Sequence, residues 1–214
     1  IMAYFPMFIE LKDSPCLIVG GGKIAERKLH VLMDFEADIT ILAPEFTEEI
    51  IRISEDSEVT NVKIIKNEYN NSYLDKMKLV IAATDDEKLN SVIATDCKER
   101  NIQVNAVDQI DDCTFIFPSY LKKGDVVAAF SSGGNSPVIT QYLKQQNNDI
   151  LTDNIGDIAA FLGAIRQLVK QKVEGESNRK KVYQELLKIG LDNDRVPTSE
   201  EVTDIIINMS KERQ

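Results

Sequence analysis

Histidine is almost absent from this chain: His30 is the only one among 214 residues. There is no Ser–His–Asp set, no Cys–His pair and no metal cluster to build catalysis on. His30 falls inside the first predicted helix, where a surface or packing role is expected. Cysteine is scarce too. Cys16, Cys97 and Cys113 are odd in number and lack metal-ligand spacing, so reduced thiols of a cytoplasmic protein are expected. No apolar run approaches the roughly 20 residues that span a bilayer. A basic stretch leading into an apolar one is also missing, which argues against a secretory signal. Ile1 precedes Met2, the expected initiator, and reads as a leftover of expression. Positive charge is in deficit, 25 Lys and Arg against 35 Asp and Glu for a net charge of −10. That balance argues against a general nucleic-acid binder, which needs clustered cations. It also means that an acidic ligand would need a local receiving device.

What is present reads as a globular chain, 43% hydrophobic and 28% charged, with ten glycines and six prolines. Its length suits one large domain, or one domain with a smaller appendage. Residues 4–11, "YFPMFIEL", are apolar and interrupted by Pro6, which suits an edge or lead-in strand. "CLIVG" (16–20) is a continuous apolar run of the kind that a strand buried on both faces needs. A helix over 23–34 follows, then strands at 37–43, 61–65, 78–84 and 102–107. Helices are expected between them at about 47–55 and at 87–100, the latter capped by Asp85 or Asp86. Strands and helices alternating at this pitch predict right-handed crossovers and an α/β, doubly wound, mostly parallel sheet.

The pattern changes near Asp112. "TFIFPSYL" and "DVVAAFSS" flank Lys122-Lys123-Gly124 and predict a hairpin. From Asn154 the chain reads as helical. Ile155, Ile158, Ala159, Leu162, Ile165 and Val169 form one stripe, with Asp153 or Asn154 as cap. A second helix starts near Ser177 and is closed by Gly190. Thr198 and Glu201 form a capping-box pair before "VTDIIINMS". The expected division is an α/β domain at 1–112, a small α+β segment at 113–149 and a helical part at 150–214.

Gly20-Gly21-Gly22-Lys23-Ile24-Ala25 fits G-x-G-x-x-A directly after a buried strand. Gly20 permits the tight turn, Gly22 lets a pyrophosphate approach the backbone, and Ala25 lets the helix pack close to the sheet. The helix N-terminus then offers free N–H groups to the phosphates. Glu45, just after the second strand, is the nearest acid for a ribose hydroxyl. No Arg stands beside it to meet a 2′-phosphate, which favours NAD over NADP. Thr84, after the fourth strand, either touches the dinucleotide or serves helix entry. Asn105 and Asp108 follow the fifth strand on the rim where open α/β sheets bind ligands. A carboxylate there can take a proton as hydride leaves, with Asp111 and Asp112 as alternatives to Asp108. One rival is a non-catalytic NAD-sensing module, which leaves the hairpin and "SSGGNSP" unexplained. A short-chain reductase is the other, and its Tyr-x-x-x-Lys pair is absent.

Four stretches, "FPMFIELKDSPCLIVGGGKIAERK", "VIAATDD", "VNAVD" leading to "FIFPS", and "SSGGNSPVITQYLK", cover about residues 5–145. In combination they resemble the precorrin-2 dehydrogenase and sirohydrochlorin ferrochelatase family, the N-terminal module of siroheme synthases. The resemblance implies a Rossmann-like domain followed by a dimerisation segment. It further implies NAD-dependent oxidation of precorrin-2 to sirohydrochlorin by a homodimer, in siroheme or corrinoid biosynthesis. Some members also insert ferrous iron. The family's catalytic aspartate matches Asp108, and its dinucleotide contacts match the glycine turn with Lys23 and Ile24, and Pro44 and Glu45. This chain is too short to include the fused uroporphyrinogen methyltransferase of bifunctional members, so a separate enzyme is expected to supply the substrate.

A second glycine turn, Ser131-Ser132-Gly133-Gly134-Asn135-Ser136-Pro137, lacks dinucleotide spacing. Pro137 suits the first helical position with Ser136 as N-cap. The plain reading is a well-capped strand-to-helix corner. The alternative gives Ser131, Ser132, Gly133 and Ser136 a carboxylate of the tetrapyrrole to hold at a helix N-terminus, with Lys122 and Lys123 nearby.

Overall fold

The apolar runs become buried strands because helices cover them on both sides. In the computed structural model, which describes residues 4–211, the first unit contains β1 (Pro15–Val19), α1 (Lys23–Asp34), β2 (Asp38–Ala43), α2 (Glu48–Glu55) and β3 (Val62–Lys66). It continues with β4 (Leu79–Ala82), α3 (Glu87–Glu99) and β5 (Gln103–Ala106). All pairings are parallel, in the order β3-β2-β1-β4-β5. The expected doubly wound sheet is therefore present. The reading of Ile1 and Met2 lies outside the described residues.

Alternation within each strand decides which helix it meets. Cys16, Ile18, Ile39 and Ile41 pack with Ala25, Leu29 and Leu32 of α1 and with Ile50 and Ile53 of α2. Leu17, Val19, Leu42 and Val80 face the opposite way, onto Ile93, Ala94 and Cys97 of α3. So α1 and α2 lie side by side on one face of the sheet, and α3 covers the other. The helix ends are set locally: Thr47 caps α2, and the Asp86 carboxylate accepts from Lys88 N and Leu89 N to start α3.

Residues 4–11 do not form the expected strand. They are irregular, with Phe5, Met7, Phe8 and Ile9 exposed. Pro6 has no N–H to give a ladder, and the edges β3 and β5 pair only inward.

The chain divides into two compact units, Ile1–Phe117 and Pro118–Gln214. The second opens with the expected hairpin, β6 (Ser119–Lys123) antiparallel to β7 (Val126–Phe130), turned at Gly124 with φ +56°. Four helices follow α4 (Pro137–Asn148) among the described residues: α5 (Asp153–Ala164), α6 (Arg166–Lys172), α7 (Glu176–Asp192) and α8 (Ser199–Lys211). Val169, Val173, Val182, Leu186, Val202 and Ile205 give α6, α7 and α8 a core of their own. No helix among the described residues is long and apolar enough to cross a membrane.

Three helix expectations are overturned. The stripe from Ile155 to Val169 is two helices, not one, because the backbone breaks at Ile165. The N-cap position is Thr152, and Asn154 instead donates to the Gly190 carbonyl at 3.3 Å. Gly190 does not close α7, which runs on to Asp192. It is buried where a Cβ would lie 2.6 Å from Ile158 Cδ1, so it is the close-packing point of α7 against α5.

The capping box before α8 forms as expected, Thr198 N donating to Glu201 Oε2 at 2.7 Å and Glu201 N to Thr198 Oγ1 at 3.3 Å. The Arg195 guanidinium grips the same carboxylate through two bonds and, with Thr198 N–H, holds Glu201 at a pKa of about 2 against an ordinary 4.5. The folded pKa is depressed, so this stabilisation is complete above the ordinary value and is lost as pH falls towards the folded one. Glu201→Gln is expected to flatten the fall in urea stability between about pH 5 and pH 3 relative to the parent chain. Equal slopes would show that the pair contributes nothing.

Candidate functional site

The sheet order places a crevice where the strand order reverses, between β1 and β4, at the carboxyl ends of the strands. The turns after β1, β2, β4 and β5 all open there, and they carry Gly20–Lys23, Pro44–Glu45, Thr84 and Asp108. Gly20 has φ +124°, and a Cβ on it would collide with the Ala83 carbonyl. Gly21, to which the sequence lent no role, is equally constrained: a Cβ there would run into the Glu45 carbonyl oxygen. Thr47 N donates to Gly21 O at 2.9 Å and completes the contact. The first two glycines thus pull the three turns together.

Gly22 is different. It holds the N-cap position of α1 with no side-chain cap, and the space where its Cβ would stand is open for 4 Å. Behind it, Ala25 is fully buried against the sheet. An unfilled space over the free N–H groups of a helix start fits a dinucleotide pyrophosphate, and this is the chemistry such a terminus favours. Lys23 and Ile24 open the helix, Lys23 exposed and Ile24 half-buried. Pro44 and Glu45 are exposed in the turn after β2.

Thr84 performs the helix-entry role. Its hydroxyl donates to Asn90 Oδ1 at 2.7 Å and accepts from Asp86 N at 3.3 Å. Asn90 is 2% exposed and also receives Thr84 N and donates to Thr84 O. Sequence reasoning missed Asn90, because nothing marks one polar residue of a polar-faced helix as the inward one.

Asp108 follows β5 in the left-handed region, with φ +60°. Its neighbours tie the loop down. Gln109 Nε2 donates to the Glu87 carbonyl at 3.0 Å and to Ser91 Oγ at 2.9 Å, and Ser91 Oγ donates to Asp112 at 2.7 Å. Asp112 also faces Lys98 at 3.7 Å. Of the three candidate acids, Asp112 is thereby engaged, whereas Asp108 is exposed on an anchored loop. Asn105 is not on the rim. It lies inside β5, buried, donating to the Phe115 carbonyl at 3.1 Å. Lys28 of α1, also missed, places its ammonium 3.8 Å from the centre of the Phe117 ring. Burial pushes its pKa down, Arg27 adds to this, and Cys113 and Asp108 oppose it. His30 is exposed on α1.

The serine turn belongs to the second unit. Ser136 caps α4, accepting from Ile139 N at 3.4 Å, with Pro137 at the first helical position as expected. Ser132 Oγ accepts from Ser136 N at 2.9 Å and donates to Ser136 O at 3.0 Å, and Ser131 Oγ accepts from Gly133 N. Gly133 and Gly134 take positive φ of 64° and 85°. The loop is prefolded by its own hydroxyls.

A parallel sheet of this order, with an open glycine-lined helix start at its switch point, defines a dinucleotide-binding protein of the Rossmann class. The chain belongs to the NAD(P)-binding family NAD_binding_7, whose model matches residues 7–119. It is also 37% identical over 185 residues to siroheme synthase 2 of Pectobacterium atrosepticum and 36% identical over 183 residues to a siroheme synthase of Pseudoalteromonas translucida. Each match takes in 86% of this chain, which spans only about 40% of the length of those relatives. Among solved structures, a chain titled SirC, precorrin-2 dehydrogenase, shares the fold at a TM-score of 0.76 and 21% identity. That match covers 97% of this chain and all of the other.

Proposed function

We propose that the chain oxidises precorrin-2 to sirohydrochlorin with NAD as hydride acceptor, in siroheme or corrinoid biosynthesis. The observation that carries this reading is an exposed carboxylate, Asp108, on an anchored loop at the same sheet edge as the open space over Gly22. NAD supplies the hydride-accepting ring when bound, and the chain supplies the rest. Gly20 and Gly21 hold the turn, and the α1 N–H groups, those of Lys23 and Ile24 among them, receive the pyrophosphate. Pro44 and Glu45 flank the ribose, with Thr84 bordering the cofactor. Asp108 takes the proton that leaves the macrocycle. The balance is precorrin-2 and NAD⁺ to sirohydrochlorin, NADH and H⁺. The same carboxylate can accept a pyrrole proton as a ferrous ion enters the macrocycle, whose own nitrogens ligate it.

In this reading Asn105 acts from inside β5, holding the segment that follows through the Phe115 carbonyl, and Ser131, Ser132, Gly133 and Ser136 receive a substrate carboxylate at the start of α4. Residues 113–149 form the dimer and substrate segment, and 150–214 a helical domain. A homodimer is supported by the exposed Val138, Ile139, Tyr142 and Leu143 on α4 and by Ile150 just beyond it. The protein works in the cytoplasm, and a uroporphyrinogen methyltransferase activity supplies its substrate.

Product analysis from precorrin-2 and NAD under nitrogen, with and without ferrous or cobaltous ions, tests this. Sirohydrochlorin is expected without metal, and a metallated product with it if the chain also chelates. An unchanged absorbance spectrum in the presence of bound NAD would leave a non-catalytic NAD-sensing module instead.

A further inference from the structure

A groove of about 420 Å³ lies between the starts of α1 and α2, lined by Lys23, Thr47, Glu48, Glu49 and Arg52. Both helices start at carboxyl ends of neighbouring strands, β1 and β2. This is the side on which a Rossmann-type site receives the adenosine ribose, where a nearby Arg accommodates a 2′-phosphate. Sequence spacing sets Arg52 a full turn into α2, yet the fold brings it into the same groove as Lys23. The two cations that a 2′-phosphate would need are therefore present.

Both are already engaged. Arg52 makes a two-bond pair with Glu49, Nη2 to Oε1 at 2.6 Å and Nε to Oε2 at 2.9 Å. Lys23 Nζ lies 3.0 and 3.1 Å from the two carboxylate oxygens of Glu26. Thr47 Oγ1 donates to Glu26 at 2.7 Å and fixes that carboxylate in place. The hydrogen bonds from Thr47 and then Lys23 lower the pKa of Glu26, as the guanidinium of Arg52 does for Glu49, so both acids stay ionised.

We propose that Glu26 and Glu49 set the dinucleotide preference of the site, by holding Lys23 and Arg52 in ion pairs that a ribose 2′-phosphate cannot share. The inference rests on the dinucleotide reading of the glycine turn. Exposed pairs of this kind are weak, so breaking them is not the obstacle. The obstacle is the carboxylate left beside a phosphate dianion once its cation has turned away. A ribose hydroxyl carries no charge and brings no such conflict.

Calorimetric titration of the full chain with NAD and with NADP tests this without turnover. The parent chain is expected to prefer NAD. Glu49→Gln frees Arg52 and keeps the side-chain shape, and NADP binding should tighten about tenfold while NAD binding changes by less than about twofold. Arg52→Met added to that variant should erase the gain. Glu48→Gln makes the same change of net charge without releasing a cation, and should recover less than half of it. An unchanged NADP-to-NAD ratio in Glu49→Gln, or an equal gain in Glu48→Gln, overturns the inference alone. A parent chain that binds both dinucleotides equally overturns it as well. Failure to bind either one overturns the dinucleotide reading and this inference with it.

Discussion

Replacing Asp108 by asparagine is expected to lower the turnover of precorrin-2 by a factor on the order of 10² to 10⁴, the usual worth of a positioned acid–base group. Binding of NAD should stay within about twofold of the parent value, because the pyrophosphate end of the site is built from β1 and α1 and not from the loop after β5. Asparagine is the informative replacement. Asp108 sits at φ +60°, where asparagine and aspartate are tolerated and alanine costs roughly 1–2 kcal/mol of backbone strain. Asp108→Ala should lose turnover as completely and a little stability besides. Retained turnover in Asp108→Asn would remove this residue from the mechanism. Asp111 would then be the next candidate, since Asp112 is held by Ser91 and Lys98.

The glycine turn yields the second large effect, as a contrast between neighbours. Gly21→Ala places a methyl group against the Glu45 carbonyl oxygen, a backbone atom that cannot swing aside. The cost is on the order of 3 kcal/mol, or roughly 10 °C in melting temperature for a chain of this size, and dinucleotide binding is lost with the turn. Gly22→Asp should do the opposite to stability. Its backbone is extended and its Cβ space is open, and aspartate is a favoured N-cap where α1 now has none. The variant should fold at least as well as the parent. It should nevertheless bind NAD on the order of a hundredfold more weakly, because it sets a carboxylate against the pyrophosphate. Thermal melting and calorimetry on the same two proteins separate the effects. Unchanged NAD affinity in Gly22→Asp would contradict the assignment of the cofactor to this turn.

The contrast also marks what could be read from the chain alone. The first strand, turn and helix were legible because a run buried on both faces, a glycine cluster and a helical stripe each have one local meaning, and the three agree. Agreement failed where a residue's role depends on a distant partner. Gly190 looks like a helix stop, yet it is small because Ile158 of another helix sits on it. The apolar content of residues 4–11 implies burial but names no partner, and neither sheet edge takes it up. Around the site, Thr47 and Glu26 are 21 residues apart and meet through side chains. Asn90 and Gln109, which lock the turns after β4 and β5, are ordinary polar residues until the fold turns them inward. Three acids after β5 were legible as candidates. The anchoring that separates Asp108 from Asp112 was not.

The proposed reaction depends on the coupling of the open glycine turn with Asp108 on one substrate. It is tested most directly by following NADH and sirohydrochlorin together as precorrin-2 is consumed without oxygen, in the parent chain and in Asp108→Asn. Equal molar amounts of the two products are expected from the parent. Neither is expected at a comparable rate from the variant, although the variant still binds NAD. Sirohydrochlorin appearing without NADH, or equal rates from both proteins, would contradict it.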